Sequence, residues 1–277
     1  VTPRSLLCHT AGLPLDLLAE SAPYEVGLDW PTLARACLAT VPTRPAGTQV
    51  QYSNLGPGLL AIVVERLSNR PFNEALVDLV LAPLGTEGYL GVEPPRPPAR
   101  IAGDLGDHAG TDLEPYNSAF WRFLALPWGG MLTTAAGALS LVRAFAGEPA
   151  GFLPPALLAE ATRDQTRGLN GGFWEPLMWP QCPWGLGVEL RGAKDPHWAP
   201  VSASPVSFGH AGASGCLAWA DPVAGVAWVM LGTRTIEGWW MDWPAIGGAI
   251  IAACGQHREP RIIDEGANAG IVGSVLP

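Results

Sequence analysis

The sequence predicts an α+β fold: a mainly helical lobe followed by an antiparallel sheet with a covering helix. Three observations carry this. Apolar residues recur at helical spacing through the first half, short β-prone runs joined by tight turns follow from residue 184, and an apolar closing stretch returns to helical spacing. The 277 residues are 48% hydrophobic and 15% charged, enough to bury a sizeable core. One domain is expected over 1–255, with the helical lobe at roughly 14–165, the sheet and covering helix at roughly 184–255, and a tail at 256–277.

In chain order, Trp30, Leu33, Ala34, Cys37 and Leu38 fall on one face of a helix over 30–40. A second helix is expected over 57–69, with Pro57 in its first turn, a third over 72–81, and a fourth over 135–145 behind the N-cap candidates Thr133 and Thr134. The stretches 91–128 and 168–183 are rich in Pro, Gly and Trp and read as irregular walls of a cleft. Strands are expected over 184–191, 206–209, 215–220 and 226–231. The last two are joined by the turn Asp221-Pro222-Val223-Ala224-Gly225, and a helix closes over 241–256.

Net charge is −9, and 16 basic residues, of which only Lys194 is a lysine, form no run. A nucleic-acid partner needs a basic surface, so that class is set aside. The apolar stretch 244–254 is too short to span a bilayer. Five scattered cysteines (Cys8, Cys37, Cys182, Cys216, Cys254) form no C-x-x-C pair. They read as reduced core residues and lean towards a reducing compartment. No His, Asp or Glu cluster has metal-ligand spacing, and no metal or cofactor is expected. His197, in a polar stretch, reads as solvated.

Two short motifs carry the chemistry: Tyr52-Ser53-Asn54, and far downstream His210-Ala211-Gly212. His-x-Gly occurs a second time at His108, but there it sits among Asp104, Asp107 and Asp112 in a polar loop. His210 follows a strand and precedes small residues, where a backbone edge approaches a ligand closely. Around these motifs, Leu6-Leu7-Cys8-His9-Thr10-Ala11-Gly12-Leu13, Pro45-Ala46-Gly47-Thr48, Trp128-Gly129-Gly130-Met131-Leu132-Thr133-Thr134 and Trp184-Gly185-Leu186-Gly187 stand in order. The chain from Val1 to about Arg234 thereby resembles the class C β-lactamase and penicillin-binding-protein-like serine hydrolases, which include peptidases, aminopeptidases and esterases.

The resemblance implies a β-lactamase/transpeptidase-like fold and an acyl-serine mechanism on a small-molecule or peptide acyl substrate. Such chemistry needs a nucleophile, a base and donors for an oxyanion. Tyr52 is then expected to move the proton to the leaving group, which requires nearby positive charge to lower a phenol from near 10. Asn54 would hold a lysine and a substrate amide, and His210 would occupy the family's Lys-Thr-Gly lysine position. Gly212 would let the strand edge approach the substrate, and the Ala213 N–H would be an oxyanion donor. Ala211 stands where the family usually has threonine, so a hydroxyl that helps bind carboxylate is missing. Trp128 is a candidate wall of a hydrophobic acyl pocket, with Trp121, Trp174 and Trp179. His9 is expected to be structural, its ring bonded to backbone near the cleft.

The family's Ser-x-x-Lys motif is absent: the residue three before Lys194 is Arg191. The chain opens on Val1, and the expectation is that the motif was lost upstream, leaving a silent fragment of an esterase or peptidase rather than of a β-lactamase. A catalytically silent binding or regulatory module is the alternative. An α/β-hydrolase is disfavoured, because Gly212-Ala213-Ser214-Gly215-Cys216 misses the last glycine of a Gly-x-Ser-x-Gly elbow. Without the family's N-terminal strands the sheet would expose an edge, so marginal stability or aggregation is expected.

Overall fold

A computed structural model describes residues 1–256, and they form an α+β arrangement. The expected tail, from residue 257 onward, lies outside the described residues. Helix α1 (Pro3–Leu7) is capped by Thr2, whose hydroxyl accepts from the Ser5 N–H. Helix α2 (Trp30–Ala39) starts at Asp29, whose carboxylate accepts from the Thr32 N–H at 2.9 Å. Helix α3 (Leu55–Ser68) begins two residues ahead of Pro57 and ends at Asn69 in the left-handed region, φ 53°.

The single helix expected over 72–81 divides into α4 (Phe72–Leu76) and a π turn (Val77–Leu81), closed by the Ala82 N–H on the Val77 carbonyl. Helices α5 (Ala119–Phe123), α6 (Ala135–Phe145) and α7 (Pro155–Ala161) follow. As expected, Thr134 caps α6, accepting from the Gly137 N–H at 3.1 Å. Leu6, Leu13, Cys37, Leu55 and Ile62 make one core of the helical lobe, and Leu33, Ala36, Leu124 and Leu126 make a second.

A small sheet joins segments far apart in sequence: β1 (Val50–Gln51) runs parallel to β2 (Gly171–Gly172), which pairs antiparallel with β3 (Met178–Trp179). The stretch 168–183, expected to be irregular, gains order from its own β2–β3 pair and from β1 alongside it. Glycine is required at 171: φ is 141°, and an added Cβ would lie 1.8 Å from the Val50 carbonyl oxygen.

The main sheet is antiparallel in chain order: β4 (Glu189–Leu190), β5 (Phe208–Gly212), β6 (Cys216–Asp221) and β7 (Val226–Leu231). The strand expected over 184–191 contracts to β4 because the Gly185 N–H turns back on the Val188 carbonyl at 2.9 Å, with Gly187 at φ 82°. The expected β6–β7 turn is present, and its Asp221 Oδ1 accepts from the Val223 and Ala224 N–H groups at 2.9 and 3.0 Å. Alternation sends Phe208, Ala220, Ala227 and Val229 towards α6. It sends Leu217, Trp219, Val226 and Trp228 to the opposite face, under α8 (Trp243–Gln256). Strand β7 is the far edge of this sheet among the described residues and carries no charged side chain.

Two expectations are corrected here. His197 is not solvated: it is buried against the sheet because its loop folds under Trp198 and Trp219. Cys8, Cys37 and Cys182 are buried, whereas Cys216 is half-buried and Cys254 exposed, so not all five cysteines serve the core. Among the described residues no helix is long and apolar enough to cross a membrane.

Candidate active site

The Tyr52 segment is fixed by its backbone. The N–H groups of four consecutive residues each find an acceptor: Gln51 on the His9 carbonyl (2.8 Å), Tyr52 on the Gly172 carbonyl (3.0 Å), Ser53 on His9 Nδ1 (3.2 Å) and Asn54 on the Leu15 carbonyl (2.8 Å). Ser53 Oγ donates to the Pro14 carbonyl at 2.5 Å and accepts from the Leu55 N–H at 3.2 Å, leading the chain into α3. His9 terminates α1 with φ 55°, and this left-handed turn gives it both its carbonyl and its ring as acceptors. Because Nδ1 accepts, the neutral ring carries its proton on Nε2.

His210 sits at the middle of β5, opposite Ala218 on β6. Its Nδ1 lies 2.6 Å from the Ala211 carbonyl. A carbonyl only accepts, so Nδ1 carries the proton and Nε2 keeps a free lone pair. The Tyr52 and His210 ring centroids are 5.8 Å apart. Both stand over Trp184, at 6.0 Å and 5.7 Å, and His9 fits against Tyr52 and Trp184 at 4.5 and 4.4 Å. Phe173, 4.5 Å from Tyr52, completes the aromatic surround.

A cavity of about 460 Å³ opens beside β5. It is lined by the edge His210, Ala211 and Gly212 on one side and by Tyr89, Trp121 and the stretch Gly129–Thr134 on the other. Tyr52 and Asn54 are not among its lining residues; the Tyr52 ring lies across the His210 ring. Ala213 is exposed in the turn after β5, where its carbonyl accepts from the Ile236 N–H at 3.0 Å. Trp128 does not face the cavity: its ring packs against Trp30 and over Gly58, and the residues that follow it form the wall. Of the other tryptophans, Trp121 lines the cavity, Trp174 is half-exposed, and Trp179 is buried with Nε1 on the Pro196 carbonyl at 3.0 Å.

The electrostatics differ from what the sequence implied. Burial pushes the Tyr52 phenol up, and the carboxylates of Asp16 and Glu189 push it further in the same direction. Burial also lowers His210, and it holds His9 down to about 3. Both imidazoles are therefore neutral at pH 7 and bring no positive charge to Tyr52. Asn54 donates from Nδ2 to Asp16 Oδ1 at 2.6 Å, so part of its amide is already engaged.

Sequence reasoning passed over a second group beneath this floor. Glu189, Lys194 and His197 are buried together: Lys194 Nζ is 2.6 Å from Glu189 Oε1, and His197 Nε2 is 3.2 Å from the same oxygen. Lys194 Nζ also donates to the Pro183 carbonyl at 3.1 Å and lies 5.6 Å from the Trp184 ring. One signal was readable: the only lysine of a chain with 16 basic residues stands five positions after a glutamate, in a tryptophan-rich stretch. No cluster suited to a metal occurs among the described residues.

The family model Beta-lactamase matches residues 1–245. Penicillin-binding protein 4 of Amycolatopsis lactamdurans is 28% identical over 221 residues, covering 78% of this chain and 54% of its own length. The chain thus spans about half the length of that relative. A crystal structure of a beta-lactamase from Mycobacterium bovis superposes with TM-score 0.67 at 27% identity, over 92% of this chain and 74% of its own. The fold alone is shared with D-amino acid amidase of Ochrobactrum anthropi (18% identical, TM-score 0.63, 91% and 78% covered).

Proposed function

Since the chain belongs to the beta-lactamase family, we propose that it carries the Tyr-x-Asn and His-x-Gly side of an acyl-serine hydrolase site and is inert in its own 277 residues. The observation that supports this best is the facing of Tyr52 and His210 at 5.8 Å over Trp184, with the His210–Gly212 edge opening on the cavity. Tyr52 would pass a proton to the leaving group, His210 would hold the substrate through its free Nε2, and the Ala213 N–H would serve the oxyanion. The reason for silence is the missing Ser-x-x-Lys nucleophile; the raised Tyr52 phenol would in addition need a cation beside it before it could act as a base. In the family, the Ser-x-x-Lys lysine supplies that charge and its serine attacks the carbonyl.

An ester or amide with an uncharged acyl group is favoured over a β-lactam, because Ala211 offers no hydroxyl to a substrate carboxylate. The test compares the 277-residue chain with one extended ahead of Val1 by a Ser-x-x-Lys segment. A fluorescent penicillin and a fluorophosphonate should leave the former unlabelled, and p-nitrophenyl esters should be cleaved faster than a cephalosporin by the latter. Labelling of the unextended chain, or a cephalosporin cleaved faster than the ester, overturns the proposal. A silent binding module is a second reading, supported by a cavity whose apolar lining (Ile101, Trp121, Met131, Leu132) can hold a ligand without any nucleophile.

A further inference from the structure

We infer that the buried cluster of Glu189, Lys194 and His197 is a positioning device for the site, fixing Trp184 from below and setting the electrostatic field in which His210 works. Trp184 is the shared element. Its ring meets His9 at 4.4 Å, His210 at 5.7 Å and Tyr52 at 6.0 Å, and it carries the Lys194 ammonium at 5.6 Å. The Lys194 cation also lies 5.0 Å from the Trp179 ring, so two indoles and one carboxylate enclose it.

The backbone around the cluster is held equally closely. Arg191 donates to the carbonyls of Lys194 and Pro200, the latter at 3.2 Å, and the Ala199 N–H donates to His197 Nδ1 at 2.9 Å. The proton on His197 therefore sits on Nε2, facing the carboxylate. Neither Glu189 nor Lys194 exposes its side chain. A buried ion pair of this kind adds little net stability over well-packed apolar side chains. What distinguishes it from such a pair is its field, which is strong in a site sealed from water.

Strand register brings that field to the site: Glu189 on β4 pairs with Gly209, the residue before His210 on β5. The titratable groups around His210 are His9 beyond α1, Tyr52 after β1, Glu189 on β4 and Lys194 in the loop that follows, with Asp16 acting on Tyr52. Burial lowers His210; against it, the Glu189 carboxylate raises its basicity, while the Lys194 ammonium lowers it. Glu189 stays ionised because Lys194 and His197 outweigh its burial and hold it down to about 2. The two partners thus oppose each other at His210, Glu189 the more strongly, and removing one shifts it in a direction fixed by the charge that remains.

The functional meaning rests on His210 belonging to the proposed acyl-transfer site, but the test reads titration rather than turnover. A failed hydrolase reading leaves its outcome intact. The His210 ring signal, assigned through His210→Asn, is followed against pH by NMR in three variants of the 277-residue chain. Glu189→Gln should move its midpoint to lower pH and Lys194→Met to higher pH, each by roughly half a unit or more. The double variant Glu189→Gln/Lys194→Met should return it towards the parent value. Shifts in one common direction, or no shift in folded variants, overturn the inference, since a merely structural cluster has no reason to produce opposite signs. Should single variants fail to fold, the parent protein still decides. With one lysine in the sequence, selective lysine labelling gives a single side-chain signal. It must move through the His210 midpoint, and a flat signal there overturns the inference.

Discussion

Replacing Trp184 by alanine tests whether the site has a packed floor. The ring is 1% exposed and touches His9, Tyr52, Phe173 and His210. Its Nε1 has no oxygen or nitrogen acceptor and only the Cys182 thiol, a weak acceptor, beside it, so its loss is chiefly a loss of packing. Truncating a buried tryptophan to alanine costs about 3–5 kcal/mol. The upper part of that range, about 4–5 kcal/mol, applies, because the Lys194 ammonium also loses an aromatic face worth up to about 2 kcal/mol when desolvated. In a chain of this size each kcal/mol moves Tm by roughly 2–4 °C, so Trp184→Ala should lower Tm by roughly 8–20 °C in a circular-dichroism melt. Trp174, half-exposed, is the control, and Trp174→Ala should stay within about 2 °C. A Trp184→Ala loss no larger than the control's would refute the assignment of this ring as the floor.

His9 makes stability depend on acid. Burial lowers it from 6.5 to about 3, so the unfolded chain takes up the proton first. Stability from this group is complete above about pH 6.5, falls by about 1.4 kcal/mol per unit below it, and is exhausted near pH 3. His9→Asn, which accepts φ 55° and keeps an acceptor for the Ser53 N–H, should flatten the urea midpoint against pH over that window; an unchanged slope counts against His9 as its source. Gly209 and Gly212 should separate sharply. An added Cβ at 209 meets the Ala218 carbonyl oxygen at 2.1 Å, so Gly209→Ala should lower Tm markedly. At 212 the nearest atom is 3.7 Å away, so Gly212→Ala should change stability by about 0.5 kcal/mol or less while weakening ligand binding at the strand edge; calorimetry of both variants checks this. Under native iodoacetamide, mass spectrometry should find Cys254 modified first. Cys8, Cys37 and Cys182, buried and with thiols pushed up by that burial, should react only on unfolding.

The legible parts of the fold are those whose signal is local. Helical spacing located α2, α3, α6 and α8, and the Asp221–Gly225 turn located the β6–β7 hairpin, because in each the residues that decide the structure lie within a few positions of one another. Strands β1 to β3 were invisible because each is two residues long and takes its strand geometry from its partners, Val50 from Gly171 and Gly171 from Val50 and Trp179. Helices α1, α5 and α7 are too short to display a period. At the site, order along the chain sufficed to single out Tyr52 and His210, whose rings the fold brings together. It did not reveal that Trp128 turns inward, that Asn54 is engaged by Asp16, or that His197 joins Glu189 and Lys194. Each of those depends on which way a loop folds, and Trp, Pro and Gly in a loop do not encode that by spacing.

Strand β7 also has a consequence for handling the protein. Its six residues, Val226 to Leu231, end the main sheet without a lysine, a glutamate or a proline to discourage a newcomer. Its outer side pairs with no further strand among the described residues, and an edge of this kind is a template for pairing with another chain. Among the described residues this border of the sheet is therefore the place to look first if the protein self-associates in concentrated solution, some distance from His210.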